Sequence, residues 1–249
     1  MERVQARNFL GGTPVREAML IWAGTLLGLG VIEIAALGVP FLGQVVGALA
    51  VAAFLWIPQR MLERRGLEAR DAGLTLEQWP RDLAHALALA LIVLPLFVLA
   101  YLNLSALMPL LPDFAAGLAA PFAAPAHFVF RLPPGKTQLD LLGQLGGHAA
   151  VALSEEFFYR GYLTFLLETA WPPRQRVAGA TMGWGALVAA VLFALGHLLV
   201  PAPFRLLTFF PALIFAWLRA RTGTIAGAAI FHFLCNATLL ILQNTVVAG

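Results

Sequence analysis

Seven long, continuous apolar runs dominate this 249-residue chain. They cover roughly 17–38, 40–58, 83–103, 139–170, 177–200, 203–220 and 222–247, each near the ~20 residues a helix needs to cross a hydrocarbon core. Within a bilayer every backbone N–H and C=O must find its partner inside the protein, which leaves helices and closed barrels. A barrel would show segments of about ten residues with alternating polarity. These runs do not alternate. The chain is therefore expected to be all-α, a polytopic transmembrane helix bundle of about seven to eight spans. An eighth short span would have to lie in the Pro- and Ala-rich stretch 104–137. Composition agrees: 12% of residues are charged, half the ~25% of a soluble domain.

The net charge of +3 does not indicate a nucleic-acid partner, because the arginines stand at the ends of apolar runs, where the positive-inside rule puts them. With the N-terminus in the cytoplasm, Arg3, Arg7, Arg16, Arg60, Arg64, Arg65, Arg70, Arg81, Arg174, Arg176, Arg219 and Arg221 all face inward. Only Arg131, Lys136 and Arg205 then face outward. The partner implied by such a chain is the lipid bilayer. The first run is too long for the core of a signal peptide and should remain as the first span. The lone Cys235 lies in an apolar run and has no second thiol to pair with. A single integral-membrane domain over 1–249 is expected. Its spans in 1–137 carry few charges, whereas 138–249 holds the ionisable motifs.

Those motifs are costly. A charge at mid-bilayer costs roughly 2.5–3.5 kcal/mol on insertion scales. The run Ser154-Glu155-Glu156-Phe157-Phe158-Tyr159-Arg160 places three ionisable groups inside the fourth apolar run. Glu156 and Arg160 are four apart and share a helix face. Glu155 points about 100° away and is placed to activate water. Taken alone, the triplet also fits a polar cluster that joins helices. The fifth run carries Phe193 and, four residues on, His197. The preceding Gly196 lets a backbone or substrate come close. The seventh run carries His232 and Asn236, four apart, two donors that could hold an oxyanion. Each pair also fits ordinary interhelical hydrogen bonding.

Together, Glu155-Glu156-x-x-x-Arg160, Phe193-x-x-x-His197 and His232-x-x-x-Asn236 resemble the motifs of the CPBP family of intramembrane proteases, which includes type II CAAX prenyl endopeptidases and bacterial Abi-type proteins. The resemblance covers roughly 140–247 and every motif position is intact. It implies an intramembrane endopeptidase of glutamic type. Glu155 and His197 would activate water, and His232 and Asn236 would stabilise the oxyanion. Glu156 and Arg160 would support the site, and Tyr159, one turn after Glu155, could hydrogen-bond to it. No cofactor is implied on this reading. A zinc alternative would use Glu155, His197 and His232 as ligands with an open fourth position; the metal-free reading is preferred, since no His-Glu-x-x-His is present. The resemblance further implies a bacterial cytoplasmic membrane and a peptide or protein substrate with a membrane anchor or a C-terminal or leader signal. The topology places the site in the outer half of the bilayer. Two other classes are carried alongside: a small proton or solute transporter using the same groups as a relay, and a non-catalytic membrane scaffold or immunity protein.

The remaining features have plainer expectations. His148, seven before Glu155, should line or pack the same face. Asp140 and Glu33 should reach headgroups, and His85 and His127 should be interfacial. Gly179-x-x-x-Gly183 and Gly223-x-x-x-Gly227 read as helix-packing seams. Residues 59–82 should hold a short surface helix. Trp22, Trp56, Trp79, Trp171 and Trp217 should form an aromatic belt.

Overall fold

The computed structural model describes residues 12–37, 39–132, 135 and 137–248. Arg3, Arg7 and Lys136, used above for topology, lie outside the described residues. The first three long helices are α1 (Pro14–Ala36), α2 (Pro40–Glu63) and α3 (Trp79–Leu107). Each begins with proline in its first turn, where a missing N–H costs nothing. Thr13 caps α1 by accepting from Arg16 N at 3.3 Å. A short α4 (Asp113–Ala119) follows. Then α5 (Gln138–Glu156) continues without a break through a π-helical segment (Phe157–Leu163) into α6 (Thr164–Ala170). The chain closes with α7 (Trp184–Gly196), α8 (Phe209–Thr222) and α9 (Ala226–Thr245). Two antiparallel ladders complete the fold: β1 (Phe128–Phe130) with β4 (Val246–Ala248), and β2 (Gln175–Val177) with β3 (Ala180–Met182).

α9 is the central post, packed against α3, α5 and α8, while α6 lies against α1 and α7. The best-buried side chains belong to the π segment and α6: Phe157, Phe158, Tyr159, Tyr162, Leu163, Leu166 and Leu167 are all shielded. Outward, α1 and α3 present bare leucines and isoleucines such as Leu27, Ile34, Leu91 and Leu96, a surface that only lipid can solvate.

Five helical segments among the described residues are long and apolar enough to cross a bilayer: Pro14–Ala36, Val45–Glu63, Trp79–Leu110, Pro203–Thr222 and Ala226–Thr245. Two of the seven expected runs fall short, for physical reasons. The run 139–170 is helical throughout but carries Asp140, Glu155, Glu156, Arg160 and Glu168. The run 177–200 begins as the β2–β3 hairpin, which leaves the shorter apolar helix Trp184–Leu199.

Other expectations are corrected. No long helix forms among the described residues between the end of α3 and α5, so an eighth span is absent there. Residues 59–82 finish α2, hold a 3-10 turn, Ala69–Ala72, that opens on a Glu68/Asp71 capping box, and begin α3. Gly179 sits in the hairpin turn at φ 80° and Gly223 ends α8 at φ 85°, so neither Gly-x-x-x-Gly pair is a seam. Gly227 does mark a close approach: a Cβ there would lie 3.2 Å from the Asp82 carbonyl of α3. Asp140 is the capping-box partner of Thr137 at the start of α5. Trp22 belongs to no belt; its indole donates to Leu192 O at 3.1 Å, tying mid-α1 to α7.

Candidate active site

The site is built outward from Arg160. Its guanidinium is fully enclosed, and it donates to Glu156 Oε1 at 3.0 Å and to the Ala212 carbonyl of α8 at 3.1 Å. Phe193 of α7 lies 4.3 Å from its Cζ and Phe215 of α8 5.2 Å. A buried charge of this kind survives only when paired and hydrogen-bonded. Here the pairing comes from one turn of the same helix and from α8, and two aromatic faces add cation–π attraction.

Glu156 Oε1 is also bonded to His232 of α9, whose Nδ1 lies 2.9 Å away. Phe215 stacks on the imidazole at 4.6 Å and 16°. With Nδ1–H donated to the carboxylate, ring plane and tautomer are fixed, and Nε2 is turned towards Glu155. The gap from Nε2 to Glu155 Oε2 is 3.7 Å, longer than a hydrogen bond. Glu155 is the more open of the two carboxylates: its side chain is 16% exposed and that of Glu156 is sealed.

His197 stands half-buried just past the end of α7, its Nδ1 2.9 Å from the Phe193 carbonyl. That bond occupies Nδ1–H and leaves Nε2 as a lone-pair acceptor. The Phe193 ring touches both imidazoles, with centroids 4.5 Å from His197 and 5.8 Å from His232. Asn236 is half-buried one turn beyond His232, and its amide has no hydrogen-bond partner among the described residues. His148 is half-buried on α5, seven residues before Glu155. Tyr159 makes no hydrogen bond to Glu155. It is packed among Phe54, Phe158 and Phe193, with its hydroxyl directed at Gly196.

The structure thus joins Glu156, Arg160 and His232 by hydrogen bonds, sets Glu155 3.7 Å from His232, and links His197 to them through Phe193. Zinc would need Glu155, His197 and His232 as a set. Among the described residues no three His, Cys, Asp or Glu side chains group to hold a metal.

Two features have no sequence signal. One is Phe215, a phenylalanine among several in α8, which forms the floor under both Arg160 and His232. The other is a second buried ion pair: Arg65 Nη2 lies 2.6 Å from Glu17 Oε2, and Tyr162 donates to Glu17 Oε1 at 2.9 Å. It fastens the π segment to α1 and to the end of α2. By sequence alone Arg65 reads as a loop cation, although Glu17 and Arg65 flank neighbouring apolar runs.

Residues 137–238 match the family described as type II CAAX prenyl endopeptidase Rce1-like. The matched segment contains Glu155, Glu156, Arg160, His197, His232 and Asn236. No curated protein and no solved structure matches the chain.

Proposed function

We propose that the chain is an intramembrane endopeptidase of glutamic type. The observation that carries this reading is the part-exposed Glu155 carboxylate facing an imidazole that a buried Glu156–Arg160 pair holds in one orientation. The family match over the same segment supports it. A purely architectural cluster would have no need for a part-exposed carboxylate beside a clamped ring.

Glu155 takes a proton from a water molecule as its oxygen attacks the scissile carbonyl. His197 Nε2, free to accept, orients that water. Charge developing on the carbonyl oxygen is met by the uncommitted amide of Asn236, beside the His232 ring that Glu156 holds in place. Collapse of the tetrahedral adduct breaks the C–N bond, and Glu155 returns its proton to the departing amine. The 3.7 Å gap between Glu155 and His232 suits an empty resting site that tightens around substrate. The substrate is a peptide or protein anchored in or presented at the membrane, and no cofactor takes part.

Glu155→Gln keeps size and hydrogen bonding but removes the base. Cleavage of a membrane-anchored reporter in proteoliposomes should fall by about 10²–10⁴-fold, the usual contribution of a general base, with thermal stability unchanged. Full activity in Glu155→Gln would overturn the mechanism. Ion flux without cleavage products would favour a transporter, and neither signal would leave a scaffold.

A further inference from the structure

On the far faces of α7 and α8 from Arg160 lies a second concave surface. It is a groove of about 1060 Å³ between α3, the β2–β3 hairpin, α7 and α8. This is at the upper end of the ~300–1,000 Å³ typical of small-molecule sites. Leu187 and Leu213 contribute to its apolar floor, and Trp171, Trp184 and Trp217 to its walls. The hairpin wall is pinned: Trp217 Nε1 donates to Val177 O at 3.0 Å and Arg221 to Gly179 O at 3.2 Å. At the hairpin end the groove meets exposed arginines. Arg174 lines it, Arg176 falls between the lining residues Gln175 and Val177 of β2 and so belongs to the other face of the strand, and Arg221 braces the turn while its carbonyl accepts from Arg81 at 2.9 Å.

We propose that this groove holds one anionic phospholipid, its phosphate on Arg174 and an acyl chain along Leu187 and Leu213 between Trp184 and Trp217. Tryptophans sit at headgroup level because one edge of the indole is polar and the rest apolar. Basic pockets between membrane helices select anionic headgroups. The charge argues against a zwitterionic lipid, and the apolar length argues against a free phosphate. The site is independent of the proteolytic reading.

The test is native mass spectrometry of the delipidated full-length chain titrated with phosphatidylglycerol, phosphatidylcholine or dihexanoyl-phosphatidylglycerol. Long-chain phosphatidylglycerol should bind at least fivefold more tightly than the other two. Arg174→Gln should weaken it by about fivefold, as expected for one arginine, and excess inorganic phosphate should not displace it. Arg60→Gln/Arg70→Gln, which removes two arginines outside the groove, should leave it unchanged. Trp184→Ala should weaken the long-chain lipid only. Equal affinity for both headgroups, displacement by phosphate, equal binding of the short-chain form, or equal loss in the control pair would each overturn the site.

Discussion

At the residue scale, the ion pair Glu156–Arg160 has no solvent to fall back on. Removing one member of a buried pair costs about 3–5 kcal/mol, because the survivor is left charged and dry. Arg160→Met should therefore lower the stability of the detergent-solubilised protein by about that amount. Adding Glu156→Gln should recover more than half of the loss. The glutamine amide keeps an oxygen to accept from His232 Nδ1, while the unpaired charge disappears. Thermal unfolding of both variants checks this. A double variant no more stable than Arg160→Met would mean that packing, and not charge, holds the cluster. Arg160→Lys is not a rescue, since lysine has no planar fork to reach Glu156 and the Ala212 carbonyl together or to stack between Phe193 and Phe215. The Glu156–Arg160 pairing is legible in the sequence because a spacing of four fixes it on any helix. The bond from Glu156 to His232 is not, since it spans 76 residues and depends on how α9 rotates against α5.

At the element scale, the π segment has no sequence signature. Phe157–Leu163 reads as an ordinary apolar helix, and one local side-chain bond and one tertiary partner favour the wider winding. Thr164 Oγ1 donates to the Tyr159 carbonyl at 2.8 Å, and Tyr162 is held by Glu17. The extra residue per turn rotates everything beyond it by about 100° relative to a straight α-helix. That is why α6 can bury Leu166 and Leu167 while Glu155, before the π segment, keeps its opening. The same segment sets the end of α7. In the sequence Gly196 reads as leaving room for a substrate or a backbone. The room is taken by the Tyr159 hydroxyl, which would lie 2.5 Å from a Cβ at position 196. Gly196→Ala should therefore displace His197 and cost about 1–3 kcal/mol, as overpacking does. Tyr159→Phe removes the offending oxygen, so Gly196→Ala/Tyr159→Phe should regain most of both stability and cleavage. A double-variant cycle with no coupling between the two positions would show that they do not meet in the way described.

At the scale of the whole molecule, length and hydropathy recover the five obvious crossings, and charge placement argues for two more. The ends of the helices sort into two sets. Arg65 meets Glu17 where α2 ends and α1 begins. Ile225, ahead of α9, bonds the Gly73 carbonyl ahead of α3. Arg81 of α3 reaches the carbonyl of Arg221 of α8, which itself reaches the hairpin before α7. At the opposite pole, Arg131 N donates to the Thr245 carbonyl at the end of α9, and Phe122 packs on Phe204. The first pole collects Arg16, Arg60, Arg64, Arg65, Arg70, Arg81, Arg174, Arg176, Arg219 and Arg221; the second has Arg131 and Arg205. Hydropathy leaves out α5–α6 and α7 because one carries the ionisable cluster and the other begins only after a hairpin. Both lie against other helices, so neither needs a fully apolar surface. We infer seven passes with the arginine-rich pole in the cytoplasm, following the positive-inside rule. In a Cys235→Ser background, a membrane-impermeant thiol reagent applied to intact cells should label Arg131→Cys and Arg205→Cys, and should label Arg176→Cys only after permeabilisation. Labelling of Arg131→Cys without Arg205→Cys would mean that α7 turns back within the bilayer, and the site would then open to the cytoplasm.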